Sequence, residues 1–178
     1  MQLIIHRLCN DDQASQHDKT IRIQWADQAP TLGEAVSMGG AQTFEVAQVY
    51  TFSPGDAATV SAVHMVFNRL PGTCLDPEQW DCWQFKDLTP DETFHVKLED
   101  VGLPELSYEI NYAGQLPRIG ARLQGGVPTG EGTQVRLVLM PWEIDDYSTY
   151  TPVEEDCPCS AVYLASCKPV AMEAAIAA

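Results

Sequence analysis

Apolar and polar side chains alternate with a period of two along most of this chain. That spacing suits half-buried strands, whose successive side chains point to opposite faces of a sheet. Residues 20–26 set Ile21, Ile23 and Trp25 against Thr20, Arg22 and Gln24. Residues 42–52 place Phe44, Val46, Tyr50 and Phe52 on one face, interrupted only by Gln48. Residues 60–70 set Val63, Met65 and Phe67 against His64 and Asn68, and residues 93–99 set Phe94, Val96 and Leu98 against His95, Lys97 and Glu99. The pattern returns at 106–112 with Tyr108 and Ile110, and at 133–140 with Val135, Leu137 and Leu139.

Residues 3–9 are more continuously apolar and read as a buried strand. Residues 80–85, 115–123 and 161–166 carry weaker strand patterns. About eight to ten strands result, joined by long polar loops rich in Pro, Gly and Asp. The expected fold is therefore mainly β, an antiparallel β-sandwich or barrel rather than a βαβ unit. Ala113-Gly114 is expected to make a tight hairpin, and Gly125 to Gly132 a long flexible connection. Residues 1–168 read as a single β domain. Residues 169–178 read as a C-terminal tail that makes a short docking helix, with Pro169 in its first turn.

Charge excludes two partner classes. Ten Lys and Arg face 25 Asp and Glu, a formal charge of −15. Such a surface repels a phosphate backbone, so no nucleic acid is expected as partner. Anionic membrane surfaces are disfavoured for the same reason. No apolar run approaches the roughly 20 residues of a spanning helix, so no membrane insertion is expected. The first residues lack the apolar stretch of a secretory signal. The default location is cytoplasmic, or within a particle assembled there.

Cysteines supply the most specific motif. Six are present, and in a reducing compartment free buried thiols are the favoured state. Cys157-Pro158-Cys159 places two sulfurs on one face of an extended segment, the beginning of a soft-metal site. Structural zinc needs four ligands, and no Cys-x2-Cys pair completes the set. Acidic loops offer a second candidate. Asp11, Asp12, Asp18, Asp145, Asp146, Glu154, Glu155 and Asp156 supply the carboxylates from which a C2-like module would build a calcium site. No EF-hand spacing supports this, and most such residues serve as solvated surface. No cofactor is expected, calcium being the one candidate.

Catalytic motifs are missing from the sequence. His6, His17, His64 and His95 are read as surface or rim histidines, and there is no metalloprotease or nucleophile-elbow pattern. The chain is therefore expected not to be an enzyme. A hydrolase with a site assembled in space around His64 or His95 is the alternative. Arg118, Arg122 and Arg136 read as partners for neighbouring carboxylates. Tyr147, Tyr150, Val170, Met172 and Ile176 are the expected interface residues, in a tyrosine-rich loop and an apolar tail. Together these features point to a non-catalytic structural or protein-interaction module. It would be a subunit of a capsid-, tail- or filament-type assembly, meeting copies of itself or other protein subunits.

Overall fold

A computed structural model describes residues 1–9, 22–37, 43–55, 58, 60–72, 91–97, 105–109, 116–129 and 136–170. Ten strands form within them: β1 (Gln2–Cys9), β2 (Arg22–Ala26), β3 (Ala35–Ser37), β4 (Thr43–Pro54), β5 (Val63–Arg69), β6 (Asp91–Lys97), β7 (Glu105–Glu109), β8 (Arg122–Thr129), β9 (Arg136–Pro152) and β10 (Ala161–Pro169). They join in one sheet of order β2-β1-β5-β4-β9-β10-β6-β7, with β3 on β4 and β8 on β9. The sheet does not close into a barrel. The mainly β reading stands. The pairing is not wholly antiparallel, because β1 lies parallel to β5 and β10 parallel to β6.

The long sheet folds over on itself. Its halves, β2-β1-β5-β4 and β9-β10-β6-β7, meet at a short seam between β4 and β9. One core joins Leu3, Ile5, Tyr50, Phe52, Val63, Met65 and Phe67 of the first half to Phe94, Val96, Tyr150, Val162 and Leu164 of the second. These side chains share the inner faces, as in two packed sheets. Arg7, in register with Leu3 and Ile5, reaches across this core to Glu92, in register with Phe94 and Val96. Strands that are not neighbours in the sheet thus touch through their inner faces.

Outer faces carry smaller cores. Ile4, Val46 and Val66 pack with Ala26, Ala29, Val36 and Val49 behind the first half. Trp142, Ile144, Ala165 and Cys167 pack with Ala121, Leu123 and Tyr147 behind the second. Burial on both sides explains why every residue of β5 is buried. His64 and Asn68, expected on a polar face, are therefore interior residues.

A β-bulge corrects the face assignment in β4. Val46 opposes Asn68 and Gln48 opposes Phe67, so Ala47 is the extra residue. One inserted residue reverses the side-chain parity beyond it. Phe44 and Val46 consequently lie on the outer side, while Tyr50 and Phe52 point into the main core.

Two expected loops are strands. Gly125 to Thr129, read as flexible, belongs to β8 and pairs with Arg136 to Met140 of β9. Asp145 to Tyr150, read as a loop, is the middle of β9 and pairs with β10. Strand β9 thus leads two lives. Its second part builds the sandwich, while Arg136 to Met140 pairs only with β8 among the described residues. The result is a two-stranded arm rooted by Leu123 and Trp142 in the second outer core. Gly120, at φ 82°, turns the chain into β8 and donates its N–H to Ile144 O at 2.8 Å.

Residues 116–121 are turn and irregular structure rather than strand. Expected features at 80–85, at Ala113-Gly114 and over 171–178 lie outside the described residues.

Candidate functional site

Residues 153–160 link β9 to β10 and gather more of the expected chemistry than any other described segment. The turn closes with Cys157 N–H donating to Glu154 O at 3.3 Å. Val153 N–H donates to Thr51 O at 2.8 Å. Thr51 N–H in turn donates to Glu154 Oε2 at 2.8 Å. A side-chain carboxylate here takes the place of the backbone acceptor that a longer β9 ladder would supply. Behind it, the Thr51 hydroxyl stands 3.3 Å from His64 Nδ1.

His64 is only 7% exposed, and its buried Nε2 has no hydrogen-bond partner among the described residues. Burial lowers its pKa below the ordinary histidine value, and the Glu154 charge works in the opposite direction. The rim reading of this histidine is corrected: the alternating pattern could not register that both faces of β5 are covered. His6 is buried as well, with Nε2 3.1 Å from Gln24 Nε2 and Nδ1 3.3 Å from Asn68 Nδ2. The side chain of His95 and the whole of His17 lie outside the described residues.

The two motif cysteines sit on the core side of the same turn. Cys159 is fully buried and donates its S–H to Ala161 O at 3.1 Å; Cys157 is half-buried against the main core. Burial pushes the Cys159 thiol up to about 12, with the Glu92 charge adding to the effect. Burial also raises Cys157 to about 11, although the Cys159 N–H donated to its sulfur pulls the other way. Thiolate is the form that attacks electrophiles and binds soft metals. Both sulfurs are held as thiols throughout the neutral range. Cys157 and Cys159 are free thiols. Among the described residues, no three His, Cys, Asp or Glu side chains are grouped to hold a metal ion.

Next to these thiols lies the ion pair between Arg7 Nη2 and Glu92 Oε2, 3% and 0% exposed. Isolated buried charges are very costly, so each ion requires the other. Tyr50 completes the neighbourhood. Its hydroxyl is raised to about 12 by burial first and then by the charges around it, Asp156 ahead of Glu154.

Among the described residues, the remaining acidic candidates do not gather with Glu154 into a metal site. Asp145 is exposed and ion-paired with Lys168, whose pKa is raised by that hydrogen bond. Asp146 is exposed and accepts the Tyr147 N–H at 2.8 Å. Glu155 and Asp156 are exposed in the turn itself. Asp11, Asp12 and Asp18 lie outside the described residues. Arg122 pairs with Glu143 at 3.7 Å, directly across the β8–β9 ladder, in keeping with a neutralising role.

The interface candidates divide. Tyr147 is half-buried and meets Tyr163 edge to face at 6.1 Å. Tyr150 is a core residue and presents no surface: its hydroxyl accepts from Val60 N at 2.9 Å and donates to Val60 O at 3.2 Å. Val170 is half-buried and bonds through its N–H to Pro141 O. Met172 and Ile176 lie outside the described residues.

Sequence reasoning found the carboxylate and the cysteines of the turn but missed Thr51, Tyr50, Arg7 and Glu92. Arg7 did leave a signal, as the charged residue within an otherwise apolar first strand. No family model, curated protein or solved structure matches this chain.

Proposed function

We propose that this chain is a non-catalytic structural or protein-interaction module, a subunit of a larger assembly of capsid, tail or filament type. The β8–β9 arm carries this reading. A two-stranded ribbon is at best marginally stable alone in water. Beyond Pro141 the arm has no third strand among the described residues. Its outer backbone groups form a ladder template of the kind that pairs with another chain. The turn at 153–160 supports the same reading, because its thiols are protonated and its carboxylate is committed to a backbone amide.

Light scattering coupled to size exclusion tests this on the full chain and on a shortened variant. In the variant, Gln124 and Pro141, opposite each other in the ladder, are joined through Asn-Gly in place of residues 125–140. An oligomer formed by the full chain and lost in the folded short variant is the expected result. A monomeric full chain, or equal assembly by both proteins, would reject the reading. Runs with calcium and with chelator test the C2-like alternative, which requires a metal-dependent change in size or melting temperature.

A further inference from the structure

Among the described residues, the seam between the two half-sheets is the shortest ladder along the path β2-β1-β5-β4-β9-β10-β6-β7. Strand β4 meets β9 through three register pairs, Phe52 with Pro152, Ser53 with Thr151 and Pro54 with Tyr150, whereas β1 meets β5 through seven. Two of the six seam residues are prolines, which have no N–H to donate. Flanking bonds run from Gly55 N to Thr149 O and from Val153 N to Thr51 O. The last one runs from Thr51 N to the Glu154 carboxylate. It is the only bond of this group whose acceptor is a side chain, and an ionised acceptor makes it stronger than a neutral pair.

That carboxylate has a second suitor. Thr51 stands opposite His64 in the β4–β5 ladder, with its hydroxyl on Nδ1. The Glu154 charge is felt at the ring. On this face His6 lies diagonally across β1, where it opposes Val66, and Arg22 of β2 stands opposite His6 in the next ladder. From strand β4 the Thr51 hydroxyl stands beside the ring. When the imidazole is neutral, Glu154 is left to the Thr51 amide. A proton on the ring creates a buried cation on which the charge of that same carboxylate acts.

We propose that Thr51, His64 and Glu154 form an acid-sensitive latch on the seam, in which protonation of His64 draws the Glu154 carboxylate off the Thr51 amide and loosens β9 from β4. The proton comes from solvent and resides on the ring, and no covalent bond changes. This is independent of whether the arm mediates assembly.

Amide hydrogen exchange followed by NMR on the full chain, at pH 7.5 and pH 5.5, tests the latch. After correction for intrinsic exchange, Thr51 protection is expected to fall at least about tenfold in acid, the equivalent of about 1.4 kcal/mol. Val66, in the middle of β5, should keep its protection and so report that the fold persists. His64→Gln should retain Thr51 protection at pH 5.5, and Glu154→Gln should weaken it at both values. Unchanged Thr51 protection in the parent protein would overturn the proposal. So would a fall that persists in H64Q, or one matched by Val66.

Discussion

The sandwich and the β8–β9 arm are made from the same kind of ladder but are held by different forces. The ladder of β9 with β10 has buried side chains on both sides: Tyr150, Val162 and Leu164 inside, and Trp142, Ile144 and Cys167 outside. The arm's ladder is just as long, eight register pairs, yet beyond Pro141 it has β8 alone beside it among the described residues. Backbone hydrogen bonds are worth little net stability in water, because water competes for both partners. The β9–β10 ladder adds apolar burial on both faces. A strand continuous through both regions, as β9 is, carries the sandwich's ladder into a segment that pairs with β8.

Changes in the sandwich should therefore cost far more than changes near the arm. Glu92→Ala leaves the Arg7 guanidinium in the core without its carboxylate, and should lower unfolding free energy by about 3–5 kcal/mol in urea titration. Alkali should act on the same interior. Cys159 is raised from 9.0 to about 12 in the fold, so its contribution is complete below pH 9 and is lost as pH rises toward 12. The shift corresponds to roughly 2–4 kcal/mol at most, and Cys159→Ala should flatten that part of the pH–stability curve. Tyr150→Phe removes both hydrogen bonds to Val60 but keeps the ring, a loss of about 1–2 kcal/mol by thermal or urea unfolding. At the root of the arm, Arg122→Ala breaks an exposed pair with Glu143 and should change stability by less than about 0.5 kcal/mol. An Arg122→Ala effect rivalling that of Tyr150→Phe would show that the arm is as firmly held as the sandwich.

How much of this could be read beforehand depended on range. Period-two alternation located β2, β4, β5, β6 and β7 within a few residues, because a strand's pattern is local. Its faces were less legible. In β4 the polar Gln48 looked like an exception within one face, whereas it marks the bulge beside Ala47 at which the face changes. Strand β8 was hidden by Gly125, Gly126 and Pro128, residues that ordinarily break strands. Both glycines and the proline nevertheless stand in register with β9. The second part of β9 was hidden by Asp145-Asp146, which sit at the bulge where the β9–β10 register shifts.

The site was legible only in halves. Glu154, Cys157 and Cys159 stood out as neighbours in sequence. Thr51, about 100 residues upstream of Glu154, and the Arg7–Glu92 pair, 85 residues apart, are brought together only by the folding-over of the sheet. Two parallel pairings and a doubled sheet are tertiary facts, and no local pattern encodes them.

The seam also imposes an order in time. Phe52 must wait for Pro152, 100 residues later (152 − 52), before the inner edge of β4 acquires its strand partner. At the usual pace of synthesis, about 5–20 residues per second, that edge stands open for roughly 5–20 s on the ribosome. Its neighbours β1 and β5 are complete much sooner, so the nascent chain presents a finished half-sheet with one uncovered side. Apolar strand edges of this kind are where newly made chains mispair. Pro54, with no amide hydrogen to offer, makes that edge a poorer template until its own partner arrives.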